Sequence, residues 1–463
     1  MQRTDIQIAY IGGGSTSWAR TLMSDLALTP ELGGEIRLYD IDYARAVANQ
    51  DRAPEIFDHA ESKTSFTVRA VRSVAEALRG ADYVIMSILP GPMQMFANDL
   101  DIPLRYGIVQ TVGDTTGPGG ISRSLRSVPI FADYARQVME HSPDAWVINY
   151  TNPMTLCTQA MFAAAPGIKA IGCCHEVFGT RGWVASMVAR ERGIDSLHRR
   201  EIDIDLIGLN HFTFFTRASY RGEDVFPIVR AFMERDGYFR DRTADALERN
   251  RIGRFGSCDG LIQLDFLRRF GVIGAAGDRH LVEFVPWYID SEDTLHRWGV
   301  SVTTSAARLG TWRPPVGDRE SAVGGGAARK PKPVQTGLKR SKEEGVDLML
   351  ALSGLRDIDT NVNVPNRGQI DFLPRGHVVE TLASVRTDAL SPWSATPPPL
   401  ALQTHLRRIA DTQQLTLEAA LTCDRDCALQ AMLSDPLVRL DTDRASALLE
   451  ELLAANAAAL PGW

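Results

Sequence analysis

At 463 residues, the chain is long enough to bury one large core or two fused ones. Hydrophobic residues make up 44% and charged residues 23%, a soluble-globular balance, and the net charge of −7 argues against nucleic acid or an anionic membrane as partner. Six cysteines in so long a chain make no disulfide framework, no apolar run reaches membrane-spanning length, and a first strand beginning by Ile6 leaves no room for a signal peptide, so a cytoplasmic protein is expected.

In chain order, Ile6–Ile11, Ile36–Tyr39, Ser65–Val68, Tyr83–Ile88, Trp146–Asn149 and Ile168–Gly172 read as strands. Between them, Thr16–Ala27, Tyr43–Ala60, Ser73–Leu78, Ser122–Met139 and Met154–Ala163 carry helical spacing. Strands alternating with helices predict an α/β fold with a parallel sheet covered on both faces. Beyond about residue 200 the rhythm changes. Glu201–Leu209 and His211–Arg217 read as strands, Gly317–Lys342 as an exposed, mobile loop, and Leu402–Ala458 as a packed helical end. The expected division is residues 1–200 as a Rossmann-like nucleotide-binding domain and 201–463 as an α+β domain for substrate, metal and oligomerisation.

The chemistry-bearing motifs follow predicted strands, where ligands of such sheets lie. Gly12-Gly13-Gly14-Ser15-Thr16-Ser17 fits G-x-G-x-x-G with Ser17 in the third place. Glycines allow a tight turn and close approach of a pyrophosphate, which then rests on a helix N-terminus. Asp40 ends the next strand, where a carboxylate binds ribose hydroxyls and repels a 2′-phosphate, favouring NAD. Gly12, Gly13, Gly14, Ser15, Thr16 and Asp40 are therefore the candidate cofactor residues. Cys174 and His211 are side chains able to share a metal, although their spacing matches no known zinc pattern. Asn149-Tyr150-Thr151-Asn152-Pro153 ends a strand; Asn152 either caps the next helix or aims its amide outward. Thr111–Gly120 is a glycine-rich loop holding Asp114, ahead of Arg123. Asp278-Arg279-His280-Leu281-Val282-Glu283 gathers four polar side chains that read either as a surface turn or as site residues.

Ile171-Gly172-Cys173-Cys174-His175-Glu176-Val177, Gly208-Leu209-Asn210-His211 and the glycine-rich start together resemble glycoside hydrolase family 4. The Cys174–Val177 run is similar to the branch acting on uronic-acid glycosides, α-galacturonides in particular. The resemblance extends over nearly the whole chain and implies a lactate/malate dehydrogenase-like architecture, with NAD and manganese as cofactors. It also implies that NAD oxidises C3 of the sugar, that elimination across C1–C2 follows with metal assistance, and that water addition and re-reduction close the cycle. Cys174 and His211 match the family's metal ligands, Asn152 matches its asparagine on the sugar hydroxyls, and Arg123 lies in a loop like the one around its cofactor and substrate; Asn149 and Glu176 are further substrate candidates, Glu176 being also the alternative acid to His175. His175 matches the place of an acid and Asp114 that of a site residue. Many members carry a tyrosine base where this chain offers Asp278 or His280. Phospho-sugar branches place an arginine in the segment matching Met95–Asp99; this chain has none there. A uronate would still need a cation, with Arg123, Arg254 and Arg279 as candidates. Asn361–Ile370 and Val378–Glu380 are read as second-domain and subunit-contact segments, and a homodimer or homotetramer is expected. The rival readings are a 2-hydroxyacid dehydrogenase of the lactate/malate type and a catalytically idle NAD-binding sensor.

Overall fold

The computed structural model describes residues 3–234, 238–254, 257–311 and 337–463. Six parallel strands form its first half: β1 (Thr4–Ile11), β2 (Leu32–Tyr39), β3 (Phe66–Ala70), β4 (Tyr83–Met86), β5 (Trp146–Asn149) and β6 (Lys169–Gly172). They lie in the order β3-β2-β1-β4-β5-β6, with the switch point between β1 and β4 that opens a crevice for a dinucleotide. Alternation along the strands explains the layering. Ile6, Ile8 and Tyr10 of β1 join Ile85 and Ile148 in one core, while Ala9 and Ile11 join Val84, Met86 and Val147 in the other. Both faces are therefore apolar and both are covered by helices, as the sequence pattern predicts. Truncating a buried strand residue such as Ile148 to alanine would cost about 2–5 kcal/mol.

The sheet does not stop at residue 200. It continues through β7 (Ile202–Leu209), β8 (Phe212–Tyr220), β9 (Glu223–Asp224), β10 (Ile273–Gly274), β11 (Ile358–Pro365), β12 (Val378–Arg386) and β13 (Ala389–Pro392). β11 and β12 enter antiparallel between β6 and β7. Their register sets Gly172, Asn363, Glu380 and Gly208 in one row across four strands. That row carries the end of β6, before Cys174, to the end of β7, before His211.

Several expected elements differ in detail. The Tyr43–Ala60 helix breaks into Tyr43–Arg52 and Pro54–Phe57, because a proline nitrogen offers no proton to continue the ladder. The C-terminal helical run divides into Leu400–Thr422, Arg425–Ser434 and Thr442–Ala455, the first ending at Cys423 with φ 56°. The helix expected from Ser122 begins at Gly117 and ends at His141. Its glycines are there for close packing: a Cβ on Gly119 would lie 2.5 Å from the Asp99 carbonyl oxygen. Helices Met93–Arg105 and Glu176–Arg192 and the paired strands β11 and β12 escaped prediction. Of the expected loop Gly317–Lys342, residues 317–336 lie outside the described residues. The remainder is tied down: Arg340 donates to Thr29 and Asp347, and the Ser341 amide donates to Asp25. Among the described residues, no helix is long and apolar enough to cross a membrane.

Candidate active site

The glycine turn is built by necessity at each of its first three positions. Gly12 has φ +94°, and a Cβ there would lie 2.1 Å from the Ser87 carbonyl oxygen. A Cβ on Gly13 would press on Leu38 at 2.7 Å, and one on Gly14 would meet Asp40 at 2.7 Å. The Gly14 amide donates to Asp40 Oδ2 at 2.9 Å, so the carboxylate already lies against the turn. Ser15 Oγ accepts from the Trp18 amide at the start of the helix Trp18–Ala27, and Thr16 is exposed. Asn49, unremarked in the sequence, donates to the carbonyls of Gly13 and Ser15 and holds the loop from below. A turn this tight, which any side chain would push apart, fits the close approach of a dinucleotide.

His211 stands in the tight β7–β8 turn with φ 67°, a region costing a side-chain-bearing residue about 1–2 kcal/mol. Its ring packs against that of His280, with centroids 3.9 Å apart and the planes tilted by 32°. Asp114, His211 and His280 bring one ligand atom each within 4.8 Å of one another, an arrangement able to hold a metal ion. Burial pushes both imidazoles down to about 3, leaving neutral rings with lone pairs to offer. Burial alone would raise Asp114, but Arg123, His280, His211 and Arg308 hold its carboxyl well below the usual range. The Thr115 hydroxyl donates to Asp114 Oδ1 at 2.7 Å and lies 2.9 Å from His211 Nδ1. Having given its one proton to Asp114, Thr115 accepts from Nδ1–H, which leaves the His211 Nε2 lone pair outward. Two imidazoles and a carboxylate suit a divalent cation such as Mn2+.

Cys174 is not one of these three groups. Its thiol is buried and raised well above the ordinary value by burial, with Glu380 and Glu176 adding to the effect, while the Asn210 side chain and Glu176 amide oppose it through hydrogen bonds. Beneath it, Asn361 donates to the Cys174 carbonyl and to Glu380, and Asn210 donates to the other Glu380 oxygen. Asn361 and Glu380, expected to build the second domain and its subunit contact, are buried beneath Cys174, with burial raising Glu380 to about 7. The signal was legible: polar Asn361 and Asn363 alternate with valines in a β-rich run, an odd face for a covered sheet.

The remaining candidates divide. Asn152 donates to Asp114 Oδ2 at 3.4 Å and accepts from Arg123 Nε through its carbonyl; its own Oδ1 is buried without a partner. Asn149, expected near the sugar, instead turns inward. It donates to the Thr151 carbonyl and Thr158 Oγ1, accepts from the Thr151 amide, and shapes the turn presenting Asn152. Glu176 Oε2 accepts from the Gly277 amide, while Oε1 lies 3.8 Å from His175 and 3.6 Å from His280. His175 is half-exposed, and Glu343 at 3.2 Å raises its imidazole above the ordinary value. The two base candidates separate. His280 faces Asp114 and His211, with Nδ1 buried and unpartnered. Asp278 accepts from the Gln263 amide at the start of the helix Leu261–Phe270, and burial lifts it to about 7. Arg254 is exposed. Arg308, which sequence reasoning missed, reaches the group around Asp114. A cavity of about 270 Å³ opens beside Glu176, lined by Trp183, Asp259 and Gln263 among others.

The model of the family 4 glycosyl hydrolases matches residues 7–190, and that of their C-terminal domain matches residues 206–438. The chain belongs to family 4 of the glycosyl hydrolases. It is 41% identical to an α-galacturonidase of Thermoanaerobacterium saccharolyticum over 99% of this chain and 97% of the relative. An α-galacturonidase of Bacillus subtilis is 40% identical, over 97% of each. Among solved structures, a Bacillus subtilis protein described as a glucosidase superposes with TM-score 0.85 at 39% identity, over 97% of this chain and 100% of that one. A family 4 chain is a glycoside hydrolase, and the 2-hydroxyacid dehydrogenase reading falls away.

Proposed function

We propose that this family 4 hydrolase cleaves α-galacturonides, using NAD and a divalent cation, Mn2+ foremost. The observations carrying the proposal are a glycine turn lying against Asp40 and the Asp114–His211–His280 group able to hold a metal ion. About 40% identity to α-galacturonidases along nearly the whole chain supports the substrate class. Gly12–Gly14, Ser15 and Thr16 would take the pyrophosphate, and Asp40 the ribose. His211 and Asp114 would hold the cation, joined by Cys174 once its thiol loses its proton. Bound there, the two cofactors supply reversible oxidation at C3 and Lewis acidity at the same carbon.

His280 then takes the proton at C2: it is neutral, packed against His211, and has an unpartnered Nδ1. His175, whose imidazole Glu343 raises above its ordinary value, gives a proton to the leaving oxygen. Glu176, between the two histidines, and Asn152, beside Asp114, orient sugar hydroxyls. The neighbouring cavity receives the aglycone. The His280 assignment has its own test, because His280→Gln should lose turnover while keeping Mn2+ affinity. Lost affinity would move His280 into the ligand set.

We further propose a reducing, cytoplasmic setting, supported by the free thiols, and a homodimer or homotetramer, which sedimentation would test. The deciding experiment supplies an aryl α-galacturonide with Mn2+, reductant and NAD far below the substrate concentration. Many turnovers per NAD without accumulating NADH are expected. One NADH released per substrate, or no turnover at all, would overturn the reading.

A further inference from the structure

Three guanidinium groups gather in this site, and two of them, those of Arg123 and Arg308, act on the Asp114 carboxylate. Arg123, Arg279 and Arg308 all lie close enough to act electrostatically on Asp114 or on one another. The nearby Glu283 carboxyl accepts the amides of Val112 and Gly113, and burial raises it to about 7. Each arginine also keeps one buried nitrogen without a partner: Nη1 of Arg123, Nε of Arg279 and Nε of Arg308. Buried donors of positive groups left unmatched are costly, and an arriving anion would match them.

Arg308 and Arg123 are singled out by Phe96. The Arg123 guanidinium carbon lies 4.6 Å from the centre of its ring, and that of Arg308 lies 4.5 Å from it. Each is anchored through one edge, Arg123 Nε on the Asn152 carbonyl and Arg308 Nη2 on the Val112 carbonyl. Stacked and anchored, the two planar forks are pre-set for an oxygen pair. Arg279 is engaged otherwise, with Nη2 on Thr303 Oγ1 and its backbone carbonyl on Thr111. Burial lowers Arg308 only to about 10, so it stays charged at neutral pH.

We propose that Arg308, assisted by Arg123 across Phe96, binds the C6 carboxylate of the substrate and sets the preference for uronides over neutral sugars. This rests on the galacturonidase reading. The test compares kcat/KM for an aryl α-galacturonide and the matching α-galactoside in the wild type, Arg308→Met and Arg308→Lys. Loss of a charge-assisted pair predicts that Arg308→Met loses about tenfold to a hundredfold on the galacturonide. The galactoside should lose only the part Arg308 contributes through Asp114, so the galacturonide-to-galactoside ratio of kcat/KM should fall by about tenfold. Arg308→Lys should recover part of the loss, since it restores the charge without the fork. Galacturonate, used as a competitive inhibitor, should weaken in parallel while NAD affinity stays unchanged. Equal losses on both substrates, or an undiminished uronide preference in Arg308→Met, would overturn the assignment of Arg308. A wild type without uronide preference would instead overturn the underlying functional reading.

Discussion

Replacing Thr115 with valine removes one hydroxyl and keeps the shape of the side chain. In the structure that hydroxyl bridges Asp114 Oδ1 at 2.7 Å and His211 Nδ1 at 2.9 Å. Without it the buried His211 Nδ1–H loses its acceptor, and the ring is no longer held in the tautomer that directs Nε2 outward. A buried polar group left without its partner costs about 1–3 kcal/mol. Loss of such a supporting contact weakens metal binding by about 10–100-fold, and the two figures agree within their spread. Thr115→Val should therefore lower Mn2+ affinity by that factor in a calorimetric or spin-resonance titration. NAD affinity should not move, because Thr115 lies outside the glycine cradle. Thr115→Ser, which keeps the hydroxyl, should bind Mn2+ nearly as the wild type does. Unchanged Mn2+ affinity in Thr115→Val would refute the argument that this hydroxyl orients His211 as a ligand.

Asp40→Ala should weaken NAD binding by about tenfold, the value of one lost charge-assisted hydrogen bond, and narrow the gap between NAD and NADP in a fluorescence titration. Chelation should abolish turnover and Mn2+ restore it in the wild type, whereas Cys174→Ser and His211→Ala should stay inactive with NAD binding intact. Asp99→Asn should cost about 3–5 kcal/mol in chemical denaturation, since it strands the fully buried Arg126, now paired to Asp99 at 2.5 Å. Asp99→Leu combined with Arg126→Met should recover most of that loss.

The parallel half of the fold was legible because its strands are short apolar runs separated by glycine turns and amphipathic helices. The second half was less so. β11 and β12 are contributed from more than 150 residues downstream of β6, and no local pattern states that they insert between β6 and β7. That insertion determines how Glu380 and Asn361 come to lie under Cys174. Glycines 12 to 14, Asp40, Asn152, His175 and His211 could be nominated because each sits at a strand end or in a motif. Arg308 could not, because it lies on a four-residue helix, Ser305–Arg308, with no motif around it. Asn149 misled for a physical reason: an asparagine at a strand end serves a turn as readily as a ligand. Asp278 and His280, two residues apart, could be separated only by the direction each side chain takes on the short helix Asp278–Leu281.

The measurement closest to the central claim is hydrolysis of an aryl α-galacturonide in deuterated water, with the released sugar read by NMR. If oxidation at C3 acidifies C2 and His280 removes that proton, solvent deuterium should appear at C2 while the C3 hydrogen largely returns. Product carrying no deuterium at C2, together with no isotope effect from C2-deuterated substrate, would contradict the account.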